Sequence, residues 1–171
     1  DLVRLEPDCF EHIVAMNALF RPGPNDAGMT ESFINRKRGD EAVEAYHPDL
    51  KAILDTTFGV IVYQEQVMNA VRILGGYTLA QADLVRKAMG KKDKDLMKAE
   101  LDKFKAAAIA RGYTEEVMTK ICDDIQKFAR YGFNRAHAAA YAYIAFQTAW
   151  LLYNYPLEFM CSVLVAEAED N

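Results

Sequence analysis

The chain has 171 residues, of which 51% are hydrophobic and 26% charged, and its formal net charge is −5. This balance is typical of a soluble folded domain and excludes a disordered chain. Because the net charge is negative, the composition disfavours a protein that binds nucleic acid on its own. Any contact with phosphate must come from a local basic cluster.

The chain begins with Asp1 rather than Met and ends in an acidic run, so we expect it to be an excised part of a longer protein. Cys9, Cys122 and Cys161 are odd in number and lack the close Cys/His spacing of a zinc site, which predicts reduced, buried thiols in a cytosolic protein. The start also lacks the pattern of a secretory signal, which argues against secretion.

In the first part of the chain, apolar spacing predicts a helix over Phe10–Leu19. We expect the prolines of segment 21–24 to end this helix and begin a loop. A second helix is predicted over Met29–Arg38 and a short one over 50–54. The β-branched run that starts at Phe58 and ends at Tyr63 predicts a short strand.

Six further helices are predicted, from Gln64 to a stop at Gly75 and Gly76, from a Thr78 cap to Lys91, and over about 93–111, 114–131, 134–155 and 156–167. The apolar stretch 138–153 is shorter than the roughly 20 residues that a membrane span needs, so we expect a buried core helix there. The fold class predicted by these patterns is predominantly α, with at most one or two short strands.

The first candidate site is a basic cluster in an otherwise acidic chain. Its members are Arg86, Lys87, Lys91, Lys92, Lys94 and Lys98. On a helix Lys87 and Lys91 share a face, and an arginine fork can meet phosphate oxygens in two parallel hydrogen bonds. Such a row suits a triphosphate, which Gly90 would allow to approach closely. The alternative is an ordinary solvated charged face, which neighbouring acidic residues favour for Lys94 and Lys98.

The second candidate site is an aromatic and glycine turn that opens onto a run of small residues. Its members are Tyr131, Gly132, Phe133, Asn134, Arg135 and His137. Aromatic rings and flat polar groups suit a base pair, whose faces stack and whose edges accept hydrogen bonds. The alternative is a corner between two helices, with Phe133 in the core, alanines that allow close packing, and His137 as a structural histidine.

Motifs that carry catalysis by themselves are missing from the sequence, which has no nucleophile elbow, Walker loop, dinucleotide fingerprint or metalloprotease helix motif. Asp123 and Asp124 are adjacent, so their side chains point apart on a helix and disfavour a two-metal site. We therefore predict no catalytic residue and no metal site within the chain.

Several long stretches resemble the α subunit of bacterial DNA polymerase III, the C-family replicative polymerase. They occur in the family's order, cover nearly the whole chain, and read ALFRPGPNDAGM at 18–29, FGVIVYQEQVM at 58–68, GGYTLAQADLVRKAMGKK at 75–92, KFARYGFNRAHAAAYAYIAFQTAWL at 127–151 and YPLEFM at 155–160. The resemblance implies that residues 1–171 form the fingers region, which follows the palm and closes around the nascent base pair in the bacterial cytoplasm.

Carried over by position, the resemblance assigns Arg86, Lys87 and Lys91 to the incoming deoxynucleoside triphosphate, and the aromatic turn to the nucleotide and the nascent base pair. This sequence departs from the family at two places. Lys87 stands where arginine is frequent and loses the bidentate fork. The turn has Arg135 and Ala136 where lysine and serine are common, so a hydroxyl contact at Ala136 is absent.

In the family, palm aspartates hold two Mg²⁺ ions, and the motifs that carry those aspartates are missing here. We therefore expect the parent chain to be a DNA-directed DNA polymerase, a nucleotidyltransferase, and this segment alone to be inactive. Its expected partners are the triphosphate, primer–template DNA and the palm. Two other classes remain open: an acidic helical module that binds protein without nucleotide, and a module that binds DNA on its own, which the net charge disfavours.

Overall fold

The computed structural model describes residues 1–43, 46–91 and 94–169. Over these residues the chain forms eleven α-helices and no strand, which confirms the predominantly α fold. The helices are α1 (Leu2–Leu5), α2 (Phe10–Leu19), α3 (Pro22–Asp26), α4 (Met29–Arg38), α5 (Lys51–Leu54), α6 (Gln64–Gly75), α7 (Leu79–Lys91), α8 (Lys94–Ala110), α9 (Glu115–Phe128), α10 (Arg135–Asn154) and α11 (Pro156–Glu169). Short 3₁₀ turns, Pro48–Leu50 and Asp55–Thr57, flank α5.

The loop predicted at the prolines is wrong, because Pro22 and Pro24 begin helix α3. Both lie in its first turn, where backbone N–H groups have no acceptor within the helix, so a missing N–H costs nothing there. The prolines do separate α3 from α2, as predicted. Gly28, with a φ of 73°, then turns the chain into α4.

Segment 58–63 forms no strand, and its one β-bridge among the described residues is an isolated parallel bridge between Tyr63 and Phe133. Val60 and Val62 are buried in one apolar cluster and Ile61 in another. Successive side chains of extended backbone point to opposite sides. The β-branched run therefore reflects burial on both sides of one extended segment rather than membership of a sheet.

Two apolar clusters form the core. The first joins helices α5 to α9, with Phe104 as its largest fully buried side chain. The second joins α1, α2, α4 and the start of α10 around Phe33. Met29 packs against both. The chain passes from the first cluster to the second at the turn between α9 and α10, so this turn lies where the two clusters meet.

The predicted buried faces of α7, α8 and α9 are confirmed with two exceptions, Val117, which is half-buried against the first cluster, and Leu79. The residues buried as predicted are Ala82, Val85, Met89, Met97, Leu101, Phe104, Ala108, Met118, Ile121, Cys122, Ile125 and Phe128. Leu79 is 63% exposed instead, because it begins α7 one turn before Ala82, the first residue of the helix to reach the core.

The helix predicted over 138–153 is present within α10, but its predicted burial in the core is wrong. Within α10 only Ala138 and Ala142 are buried, and they pack against α2. By contrast, the large apolar side chains of α10 are exposed, and so are several of α11. Tyr153, for example, is 86% exposed. Helical periodicity records apolar residues but not which part of a protein covers them. None of the helices in the described part of the chain combines the length and the apolar character that a membrane span requires.

The cysteines also differ from the prediction, since Cys122 is buried whereas Cys9 and Cys161 are exposed. Cys161 lies on the uncovered helix α11, and Cys9 precedes α2 as its N-cap residue. Burial raises the pKa of the Cys122 thiol to about 11.

Candidate functional site

On helix α7 one carboxylate holds two cations. Asp83 accepts a hydrogen bond from Arg86 Nε at 2.7 Å, and Lys87 Nζ lies 3.0 Å from its other oxygen. The hydrogen bonds from Lys87 and Arg86 lower the pKa of Asp83. The hydrogen bond to Asp83 uses Nε of Arg86. The arrangement orients both basic side chains on an exposed helix face.

Helix α7 ends with an open stretch of surface beside these cations. Lys91 is its last residue and is exposed. A Cβ added at Gly90 would have nothing within 4 Å, so the backbone there is accessible. Lys92 and the side chain of Lys94 lie outside the described residues, whereas Lys98 is exposed on α8.

The aromatic turn rests on the segment that joins α2 to α3. Arg21 Nη2 donates a hydrogen bond to the Tyr131 carbonyl at 2.7 Å, and its guanidinium carbon lies 4.5 Å from the centre of the Phe133 ring. Gly23 contacts the Tyr131 ring so closely that a Cβ would lie 2.4 Å from Cδ1. Burial lowers the pKa of Arg21. Segment 21–24, predicted only as a helix stop, thus supports the turn.

Asn134 caps α10 as predicted, since its Oδ1 accepts the His137 backbone N–H at 2.9 Å. Two glutamates from other helices hold the same region. Glu65 accepts from Asn134 Nδ2 at 2.7 Å and from the Arg135 backbone N–H at 3.1 Å. Glu11 accepts from Arg135 Nη2 at 2.7 and 2.8 Å and raises the pKa of Arg135. Sequence interpretation missed both glutamates, because their partners lie far away in the chain.

A row of aromatic rings leads from the turn along α10. The centres of the Phe133 and His137 rings are 5.4 Å apart, and those of His137 and Tyr141 are 4.5 Å apart. Phe133 is half-buried against the second apolar cluster, which agrees in part with the helix-corner alternative. His137 and Tyr141 are exposed. Tyr141 was not among the predicted residues, although a spacing of four from His137 could have identified it.

A cleft of about 1160 Å³ lies between α4 and α9. Ala88 and Met89 of α7 line it, as do Arg130 and Tyr131 of the turn. The predicted side chains Arg86, Lys87 and Lys91 do not line it, and Tyr131 is the only predicted turn residue that does, as far as the described residues extend. The structure therefore brings α7 and the turn to one cleft without joining the two sets of predicted side chains.

The described residues contain one group that could hold a metal ion, formed by Asp8, Cys9 and His12, whose ligand atoms lie within 4.8 Å of one another. Thiol and imidazole donors do not fit Mg²⁺, which prefers oxygen ligands. Asp8 also lies 3.1 Å from Lys37 Nζ and 3.2 Å from His12 Nδ1. This group therefore does not fit Mg²⁺.

The fold and these two surfaces describe a helical domain with a basic helix face and an aromatic turn. The chain belongs to the family of the bacterial DNA polymerase III alpha subunit finger domain, whose model matches residues 2–112. It is similar to DNA polymerase III subunit alpha of Pasteurella multocida (52% identity), Aquifex aeolicus (49%) and Escherichia coli K12 (47%), each over 99% of this chain. The chain spans 15% of the length of each relative. The family resemblance inferred from the sequence is confirmed.

Proposed function

We propose that this chain is the fingers segment of a DNA-directed DNA polymerase, and that it binds the incoming deoxynucleoside triphosphate during template-directed synthesis. The observation that carries the proposal is the arrangement on α7, where Asp83 holds Arg86 and Lys87 together. Two cations share one carboxylate, so this face keeps surplus positive charge in a chain whose net charge is −5. A triphosphate is the ligand that such a face suits.

The arginine and the two lysines have different roles in this proposal. Arg86 presents the terminal nitrogens of a planar guanidinium to two phosphate oxygens, whereas Lys87 and Lys91 act as mobile point charges. Gly90 leaves room for a phosphate to approach the backbone. Together these groups neutralise the triphosphate and position it, and they take no part in bond breaking.

The turn supplies the second half of the proposed function. Its residues form the surface against the nucleotide and the nascent base pair, and they are Tyr131, Gly132, Phe133, Asn134, Arg135 and His137. The exposed His137 ring and the half-buried Phe133 ring support this assignment, because bases stack on such rings.

The chemistry itself requires groups outside this chain. Two Mg²⁺ ions held by the palm would activate the primer hydroxyl and stabilise the leaving pyrophosphate. The partners of this segment are then the palm and primer–template DNA, within a bacterial cytoplasmic enzyme. The full-length polymerase that carries this segment is called the parent polymerase below, and the segment alone is expected to be inactive.

Steady-state single-nucleotide incorporation by the parent polymerase tests the proposal. Arg86→Ala is expected to lower kcat/KM about tenfold or more, which is about 1.4 kcal/mol of lost transition-state binding, with little dependence on the base. Arg72→Ala, which removes an exposed arginine on the neighbouring helix α6, serves as the matched control. Equal kinetics for the two variants would contradict the proposal.

A second candidate function is that of an acidic helical module that binds another protein and no nucleotide. The exposed apolar side chains of α10 and α11 favour it, because such patches mark interaction surfaces. Nucleotide affinity separates the two candidates. Affinity that depends on Arg86 supports the fingers assignment, whereas the absence of nucleotide affinity supports the second candidate.

A further inference from the structure

We propose that Glu65, assisted by Glu11, is a positioning residue that fixes the aromatic turn and the start of α10 for nucleotide binding. This inference rests on the proposed function and assigns to it two residues that do not themselves contact the nucleotide. Glu65 belongs to α6 and Glu11 to α2, whereas their partners lie 69 to 124 residues further along the chain.

Glu65 satisfies a donor that the helix's own cap leaves unpaired. The first backbone N–H groups of a helix have no acceptor within it. Asn134 Oδ1 takes the His137 N–H at 2.9 Å, and both oxygens of Glu65 lie 3.1 Å from the Arg135 nitrogen. A carboxylate near a helix N-terminus is also favoured by the helix dipole. Glu65 therefore acts as a second cap, supplied by a different helix.

The same contact fixes the register between two distant segments. Tyr63 forms the backbone bridge with Phe133, and the Gln64 N–H donates to the Phe133 carbonyl at 2.9 Å. The next residue, Glu65, binds Asn134 and Arg135. Segment 63–65 thus meets segment 133–135 through backbone and side-chain bonds, and Glu65 supplies the only carboxylate among these contacts in the described part of the chain.

Glu11 holds the side chain of the same residue from another direction. Both of its carboxylate oxygens accept from Arg135 Nη2. The guanidinium also lies 6.0 Å from the centre of the Tyr63 ring, and Tyr63 is almost fully buried. Arg135 is therefore fixed at its backbone by Glu65 and at its side chain by Glu11.

His137 lies two residues after Arg135, and Phe133 lies two residues before it. A shift of Arg135 consequently moves both rings of the proposed nucleotide surface. A displacement of this kind weakens binding even though no group that touches the nucleotide has been removed, since catalysis and binding depend on placement at the ångström scale. Loss of the Glu65 carboxylate should therefore affect nucleotide affinity more than folding.

The test measures KM for each deoxynucleoside triphosphate in the parent polymerase, with the active fraction determined by titration and folding by thermal unfolding. Glu65→Ala should raise KM about tenfold, whereas Glu65→Gln, which keeps an acceptor oxygen, should stay within about threefold of wild type. Glu115→Ala is the matched control, because Glu115 lies in the first turn of α9 and pairs with Lys105 at 3.1 Å. It should leave KM unchanged.

The KM values of the His137 and Arg86 variants separate a failure of the role of Glu65 from a failure of the proposed function. If Glu65→Ala behaves like Glu115→Ala while His137→Ala raises KM, Glu65 has no positioning role and the nucleotide surface stands. A rise that Glu65→Gln does not relieve, or a loss of active fraction at constant KM, also overturns the positioning role. If neither His137→Ala nor Arg86→Ala changes KM, the proposed function itself is wrong and the inference falls with it.

Discussion

Ion pairs with carboxylates fix the positions of basic side chains in the candidate site. Asp83 holds Arg86 and Lys87, and Glu11 holds Arg135. These groups are partly exposed, so the pairs orient side chains more than they stabilise the fold. The lowered pKa of Asp83 determines the pH range over which its contacts with Arg86 and Lys87 persist. These contacts are complete above the ordinary pKa of 3.8 and are lost as pH falls through the lowered pKa.

The cysteines provide a prediction at the residue scale. Iodoacetamide at pH 8 should alkylate Cys9 and Cys161, which are exposed, and spare Cys122, whose raised pKa of about 11 keeps it a neutral buried thiol. Mass spectrometry of the native and the unfolded chain reads out the three sites. Equal labelling of all three sites in the native chain would contradict the burial of Cys122.

The same thiol has a consequence for stability. Because burial raises the folded-state pKa of Cys122 above the ordinary value of 9.0, its contribution to stability is complete below that value and is lost as pH rises through about 11. Thermal unfolding between pH 8 and pH 11 should therefore show a decline that Cys122→Ala lessens. A decline of the same size in Cys122→Ala would exclude this thiol as a cause.

At the scale of single elements, local signals predicted most of the helices. The Asn134 cap, the apolar faces of α8 and α9 and the end of α4 at Gly39 follow from patterns within one or two turns, and the structure confirms them. Pro22 and Pro24 misled, because proline ends one helix and begins another with equal ease. Segment 58–63 misled because burial on two sides selects the same β-branched residues as a sheet does.

Helix α7 provides a prediction at the element scale. Gly90→Ala should stabilise the domain by about 0.5 kcal/mol, since glycine is a poor helix former and the added methyl group meets open space. The same change should raise KM for the nucleotide if a phosphate approaches this backbone. Thermal unfolding and incorporation kinetics measure the two effects.

Gly23→Ala is the opposite case, because its methyl group would collide with the Tyr131 ring, and it should lower the melting temperature. A Gly90→Ala variant that is stabilised but has unchanged KM would contradict the close approach of phosphate at Gly90. A Gly23→Ala variant as stable as wild type would show that Tyr131 can move away from this contact at little cost.

The whole molecule contains features that no local pattern could predict. The meeting of segments 63–65 and 133–135, and the support of Tyr131 by Arg21, join residues about 70 and 110 positions apart. The residues themselves suggested a triphosphate at Arg86 and a base pair at the turn, but the family resemblance was needed to favour these interpretations over a solvated face and a helix corner. The exposure of α10 could not be predicted, because helical periodicity does not identify the partner of an apolar face.

The exposed apolar side chains of α10 and α11 predict that the whole molecule self-associates. The chain alone should self-associate at micromolar concentrations and bind a hydrophobic dye, because α10 and α11 expose a large apolar surface. Leu157→Glu should reduce association without lowering the melting temperature, since Leu157 is exposed. Analytical ultracentrifugation measures the effect. A wild-type chain that stays monomeric at all concentrations would contradict it.

The most direct test of the central claim is a single-turnover measurement of triphosphate affinity in the parent polymerase on a primer–template. Wild type, Arg86→Ala and Arg86→Lys are compared for all four nucleotides. Triphosphate binding by Arg86 predicts a Kd raised about tenfold or more in Arg86→Ala for every base, with part of the affinity regained in Arg86→Lys through its point charge. An unchanged Kd for all four nucleotides would mean that the α7 face is an ordinary solvated surface, and would contradict the assignment of Arg86 to the triphosphate.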